Sequence, residues 1–188
     1  SLVRINESIQ YAKKNGLKTR FTAEDASRTD LNYLLRIGEL VEKAGADRFG
    51  FADTVGILYP QKVSEVITKL VDHLNIPIHV HFHNDFGLAT ANALQAVQSG
   101  ASCVDVTVNG LGERCGITSL AEITASIDEL LHVKNSWNFE VISNLSLFVD
   151  EITNKIAQKI RPITGFNAFT HNAGLHAAAV IKDPSTYE

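Results

Sequence analysis

The 188-residue chain contains no methionine, one tryptophan, four prolines and two cysteines. Two cysteines, Cys103 and Cys115, cannot build a disulfide framework, so a reducing cytoplasm is the expected compartment. Long apolar runs are missing too: no stretch approaches the roughly 20 residues that span a bilayer. Basic clusters are absent, and 17 basic against 21 acidic residues give a net charge of −4, which argues against a nucleic-acid footprint. The start, Ser1-Leu2-Val3-Arg4, carries neither an initiator methionine nor a secretory signal. With methionine lacking throughout, the expectation is a trimmed piece of a longer chain. What remains is 45% hydrophobic and 20% charged, ordinary for a soluble globular protein and long enough for one substantial core.

The sequence does contain a repeating unit. Lys18 to Ala23, Arg48 to Asp53, Ile78 to His83 and Val104 to Val108 read as strands. Helical patterns follow them at about Asp30 to Ala44, Pro60 to Leu74, Leu88 to Ser99 and Ser119 to Leu131. Gly45 and Gly100 suit helix C-caps, and Pro60 suits a first helical turn. Strand starts near thirty, thirty and twenty-five residues apart mean consecutive β-α units and a parallel sheet. Four units make half of a (β/α)8 barrel, which needs about 250 residues. Ser1 to Asn15 already reads as a helix, so the chain begins inside a unit whose strand is lacking. The expected fold class is therefore α/β: residues 1–133 form the C-terminal half of a TIM barrel, its N-terminal half absent. Residues 134–188 form a linker and the start of a helical arm or subdomain, with an amphipathic helix over Leu145 to Ile160 and a short one over Gly174 to Ile181.

In such barrels the active site gathers at the C-terminal ends of the strands. There the sequence places Arg20, Thr22, Glu24 and Asp25; Asp53 and Thr54; His81, His83, Asn84 and Asp85; and Asn109, Glu113 and Arg114. Acids at these points can also serve as helix N-caps, as Asp25 and Asp85 could. His81 and His83 share one strand face and suit a divalent metal, but His79 lies on that face as well. The residues alone leave open which pair would be the ligands. Gly110-Leu111-Gly112-Glu113-Arg114-Cys115-Gly116 departs from the dinucleotide fingerprint in its last spacing and fits a tight turn or an anion-approaching loop equally well. A flavodoxin-like binding domain is disfavoured by the lack of a glycine-rich loop after the first strand.

Five segments then occur together. They are Arg20-Phe21-Thr22-Ala23-Glu24-Asp25, Asp53-Thr54-Val55-Gly56, His81-Phe82-His83-Asn84-Asp85, Gly112-Glu113-Arg114 with Gly116, and Phe169-Thr170-His171-Asn172-Ala173-Gly174-Leu175-His176. In this order the chain resembles the homocitrate synthase and 2-isopropylmalate synthase family of barrel metallolyases. The run Gly112-Glu113-Arg114-Cys115-Gly116-Ile117-Thr118 and the ending Asp183 to Glu188 look more like the homocitrate synthase branch.

The resemblance implies an acyltransferase of amino-acid (lysine) biosynthesis. It would perform a Claisen condensation of acetyl-CoA with a 2-oxo acid, 2-oxoglutarate giving homocitrate, with 2-oxoisovalerate or pyruvate as alternatives. It implies His81 and His83 as ligands of a divalent metal (zinc, magnesium or manganese), and Arg20, Thr22, Thr54 and Glu113 as substrate contacts. It implies Glu24, His176 and Tyr187 as the acid–base group, and a homodimer whose arms exchange, with neither membrane nor nucleic acid as partner. The family's Asp-Arg-Glu-type motif, source of a third metal ligand, does not occur here. A fragment inactive alone is the expectation. Retention of Glu24, His176 and Tyr187 argues against a metal-binding or regulatory module that has lost catalysis.

Overall fold

The structure, a computed structural model, describes residues 2–154 and 158–187. It divides into two compact units, Ser1–Asn135 and Ser136–Glu188.

The first unit begins with α1 (Leu2–Lys14), then β1 (Arg20–Ala23), α2 (Leu31–Lys43), β2 (Arg48–Asp53), α3 (Pro60–His73), β3 (Ile78–Phe82), α4 (Ala89–Gln98), β4 (Cys103–Val104) and α5 (Leu120–Leu131). The four strands are parallel and lie side by side in chain order. Helical periodicity explains the helix layer. Leu34, Ile37 and Val41 of α2, and Val63, Ile67 and Leu70 of α3, recur at three- and four-residue steps and are buried. Asp30 caps α2 by accepting from the Tyr33 N–H, Pro60 occupies the first turn of α3, and Gly45 and Gly100 close α2 and α4 at φ 93° and 95°.

Alternation along the strands sorts the two faces of the sheet. Phe49 and Phe51 of β2 and Ile78, Val80 and Phe82 of β3 join the helices in one core. The intervening residues, Gly50, Ala52, His79 and His81, therefore face the opposite side, with Arg20 and Thr22 of β1. A Cβ on Gly50 would come 2.5 Å from Thr22 Oγ1, so β1 and β2 carry side chain and no side chain at the same level.

Two sequence expectations are corrected. The fourth strand stops at Val104 instead of running to Val108. Beyond it the chain turns through Asn109 (φ 60°) and doubles back. The returning segment takes the place beside β3: Thr118 donates to the Phe82 carbonyl and Asn84 to the Gly116 carbonyl. In the second unit, α6 spans Phe139–Ile152 instead of starting at Leu145, because Asn138 caps it through the Val141 N–H. The expected helix runs on to Ile160, but residues 158–160 are not helical, while residues 155–157 lie outside the described residues.

The second unit continues with a 3-10 turn at Phe166–Phe169, α7 (Gly174–Lys182) and a 3-10 turn at Pro184–Tyr187. Its anchor is a two-point ion pair: Arg161 Nη1 and Nη2 each lie 2.9 Å from an Asp150 oxygen, with both side chains largely buried. Among the described residues no helix is long and apolar enough to cross a membrane.

Candidate functional site

The polar face of the sheet converges on Asp105, the residue after β4. Its backbone N–H continues the parallel pairing onto Val80, which sets its side chain beside those of β3. Asp105 Oδ1 lies 2.7 Å from His79 Nε2 and Oδ2 lies 3.2 Å from His81 Nδ1. Arg20 Nη1 reaches both oxygens, at 3.0 and 3.2 Å. Partial burial opposes ionisation of this carboxyl, but the bonds from His79, His81 and Arg20 outweigh it and hold Asp105 far below the usual carboxylate range.

Arg20 occupies an unexpected position. It opens β1 instead of standing at its C-terminal end, and its guanidinium crosses the sheet to Asp105 and His79. Beside it, Lys18, Arg20, Asp47, Arg48 and His79 line an open cavity of about 500 Å³.

His81 Nε2 and His83 Nε2 stand 3.3 Å apart, with the rings edge to face. Two imidazole nitrogens each about 2.1 Å from one ion would be separated by roughly 3.0–3.4 Å at ordinary ligand angles. The pair thus fits two adjacent positions of a metal ion. Among the described residues no third His, Cys, Asp or Glu completes a group able to hold one. His83 is buried, and its Nδ1 has no hydrogen-bond partner. Burial, then the nearby His81 and Arg114 charges, keep its imidazole below the ordinary value and hence neutral, the form that binds metals.

The loops after the strands are tied to one another. Asp53 is fully buried and accepts from the Ile57 and Leu58 N–H groups, shaping the turn before α3. Thr54 Oγ1 accepts from the Asp25 N–H at 2.8 Å. Arg114 forks onto Asp85 and donates to the Thr54 carbonyl. Asp25 and Asp85 make no side-chain cap: Asp25 pairs with Arg28, Asp85 with Arg114, and Asn84 accepts the Ala89 N–H. Gly116, at φ 91°, has no room for a side chain because a methyl there would overlap the Gly110 carbonyl.

Of the residues singled out from sequence, Arg20, His81 and His83 therefore gather on one face, with His79 and Asp105 among them. Thr22 lies one level from Arg20 on β1, and Thr54 sits in the loop after β2. Glu24 follows β1 as an exposed residue, and Glu113 is exposed beside Arg114. His176 lies in α7 of the second unit, its ring 6.1 Å from that of His171. Tyr187 closes the last 3-10 turn, and its side chain lies outside the described residues. Sequence reasoning passed over Asp105. Its signal was the acid flanked by valines in Val104-Asp105-Val106, a pattern that puts a charge on the inward face of a strand end.

Two family models match: the HMGL-like model over residues 1–149 and the homocitrate synthase post-HMGL domain-like model over residues 163–188. The chain is 47% identical to a homocitrate synthase of Sulfurisphaera tokodaii over 98% of its own length and 40% of that protein. It is 42% identical to a probable 2-isopropylmalate synthase of Methanopyrus kandleri, over its full length and 38% of that protein. It therefore spans about two fifths of the length of these curated relatives. The HMG-CoA lyase of Bacillus subtilis superposes with a TM-score of 0.73 at 23% identity, covering 82% of this chain and 56% of that one. That likeness identifies the sheet and its helices as part of a TIM barrel.

Proposed function

The chain belongs to the HMGL-like family, and from that premise we propose that it is part of a metal-dependent acyltransferase. The reaction is the Claisen condensation of acetyl-CoA with a 2-oxo acid. The observation that carries the reading is the meeting of His81 Nε2 and His83 Nε2 at 3.3 Å on the polar face of the sheet. We favour 2-oxoglutarate as the acceptor and homocitrate as the product. This rests on the homocitrate synthase post-HMGL match at residues 163–188 and on the relatives named homocitrate synthase.

His81 and His83 would hold a divalent ion, zinc, magnesium or manganese. Such an ion supplies Lewis acidity, stabilising negative charge that develops on a keto oxygen. The protein's own groups do the rest. Thr54 accepts the Asp25 N–H, which leaves its hydroxyl proton available to a substrate carboxylate. Arg20 brings positive charge to the same face, where it is held by Asp105, and suits a second carboxylate. Thr22 and Glu113 complete the substrate contacts. The methyl proton of a thioester is weakly acidic, so its removal needs a base held in place and a partner to take the proton onward. We assign that work to Glu24, His176 and Tyr187.

The four β-α units supply half the strands of an eight-stranded barrel. We infer that residues 1–133 are its C-terminal half and residues 134–188 the start of an arm that exchanges between the two subunits of a cytoplasmic homodimer. A third metal ligand then comes from the other half, and the 188-residue chain by itself turns over no substrate. The second reading keeps the chemistry and changes the acceptor to 2-oxoisovalerate or pyruvate. It draws on the relatives named probable 2-isopropylmalate synthase and putative citramalate synthase.

The test is release of free CoA thiol from acetyl-CoA by the full-length polypeptide that carries this chain, compared across the three acids. Preference for 2-oxoglutarate is expected, and a clear preference for either other acid would sink the homocitrate assignment. His81→Ala should abolish turnover with every acid.

A further inference from the structure

We propose that Asp105 is the positioning residue of the candidate metal pair, fixing the His81 ring so that Nε2 presents its lone pair beside His83. The inference rests on the reading of His81 and His83 as ligands, and it concerns a residue that the family motifs quoted above do not include.

An ionised carboxylate only accepts hydrogen bonds. His81 Nδ1, 3.2 Å from Asp105 Oδ2, must therefore be the donor, which leaves the lone pair on Nε2. A neutral histidine free in water prefers the opposite arrangement, with its proton on Nε2, where it would block a metal. Asp105 reverses that preference.

Two further donors hold Asp105 itself. His79 Nε2 lies 2.7 Å from Oδ1, and Arg20 Nη1 reaches both oxygens. If His79 donates from Nε2, its Nδ1 accepts from Arg20 Nη1 at 3.1 Å, and every proton has a place. Arg20 Nη1 also comes 2.7 Å from His79 Nε2, and a bond there would leave Asp105 with Arg20 and His81 as donors. The assignment at His81 is the same in both arrangements. His83 has no comparable anchor, since its Nδ1 is buried without a partner. Orientation of His81 thus depends on Asp105, a support that carboxylate groups behind metal-bound histidines commonly provide.

The test compares the full-length polypeptide that carries this chain, unaltered, with its Asp105→Ala and near-isosteric Asp105→Asn variants. Long-range proton–nitrogen spectra of the imidazoles, recorded without metal near pH 8, report each tautomer. His81 should carry its proton on Nδ1 in the wild type and shift toward Nε2 in both variants. Cobalt(II) titration, followed by visible absorption, should show about 10- to 100-fold weaker binding in the variants. Circular dichroism identifies a variant that fails to fold, in which case Asp105→Asn decides. An unchanged His81 tautomer in the folded variants, or a wild-type His81 protonated on Nε2, overturns the proposal. A wild type with the expected tautomer that binds no cobalt leaves Asp105 as the orienting group and overturns the metal reading instead.

Discussion

Arg114 grips Asp85 at two points, with Nε 2.7 Å from Oδ1 and Nη2 2.8 Å from Oδ2, while Nη2 also donates to the Thr54 carbonyl at 2.7 Å. One side chain thereby joins the loops that follow β2, β3 and β4. The bond from Arg114 holds the Asp85 carboxyl below its ordinary range. A depressed carboxylate contributes above its unfolded pKa, and the contribution is lost as pH falls through the lower folded value. Arg114→Ala should therefore speed amide exchange around residues 110–117 and Thr54 at neutral pH, with little change in global stability because the pair is partly exposed and screened. Arg114→Lys keeps the charge without the fork and should protect these amides to an intermediate degree. Hydrogen exchange with mass-spectrometric readout measures both, and the wild type should lose the same protection in acid.

His83 carries a second pH dependence, of separate origin. Burial and neighbouring charge lower its folded pKa, so the unfolded chain takes up a proton near the ordinary value of about 6.5 while the folded chain resists. The resulting stability is complete above that value and declines as pH falls through the lower folded one. Urea denaturation at a series of pH values should show a steeper loss below about pH 6.5 in the wild type than in His83→Gln.

The core offers a plain test of the strand alternation. Phe51 is fully buried, with its ring centroid 6.4 Å from that of Phe82. Phe51→Ala should cost about 3–5 kcal/mol and Phe51→Leu clearly less. The check is the denaturant midpoint, with an unchanged slope indicating that the loss lies in the folded state.

What could be read from sequence depended on whether its cause was local. β2 was legible from end to end, because Phe49 and Phe51 mark its buried face and Asp53 the turn. β4 was overread, since Val104, Val106 and Val108 alternate as a strand does. The strand is curtailed by a returning segment, residues 116–118, whose place beside β3 no local pattern announces. The convergence of His81 and His83 followed from period two alone. Their connection to Asp105 did not, because it joins residues 24 and 26 positions apart through the parallel register of β3 and β4. Arg20 was misplaced along its strand for a similar reason: the expected strand began at Lys18, whereas pairing begins only at Arg20.

The order of the sheet bears on how the chain acquires its shape. Each strand pairs with the one that follows it in the chain, and the returning residues 116–118 then close beside β3. Each addition closes a loop of one helix and two turns, so the entropic toll of closure stays small and nearly constant. During synthesis the sheet can lengthen by one strand at a time as the chain leaves the ribosome. The polar row assembles last, when Asp105 arrives beside histidines that β3 has already set in place.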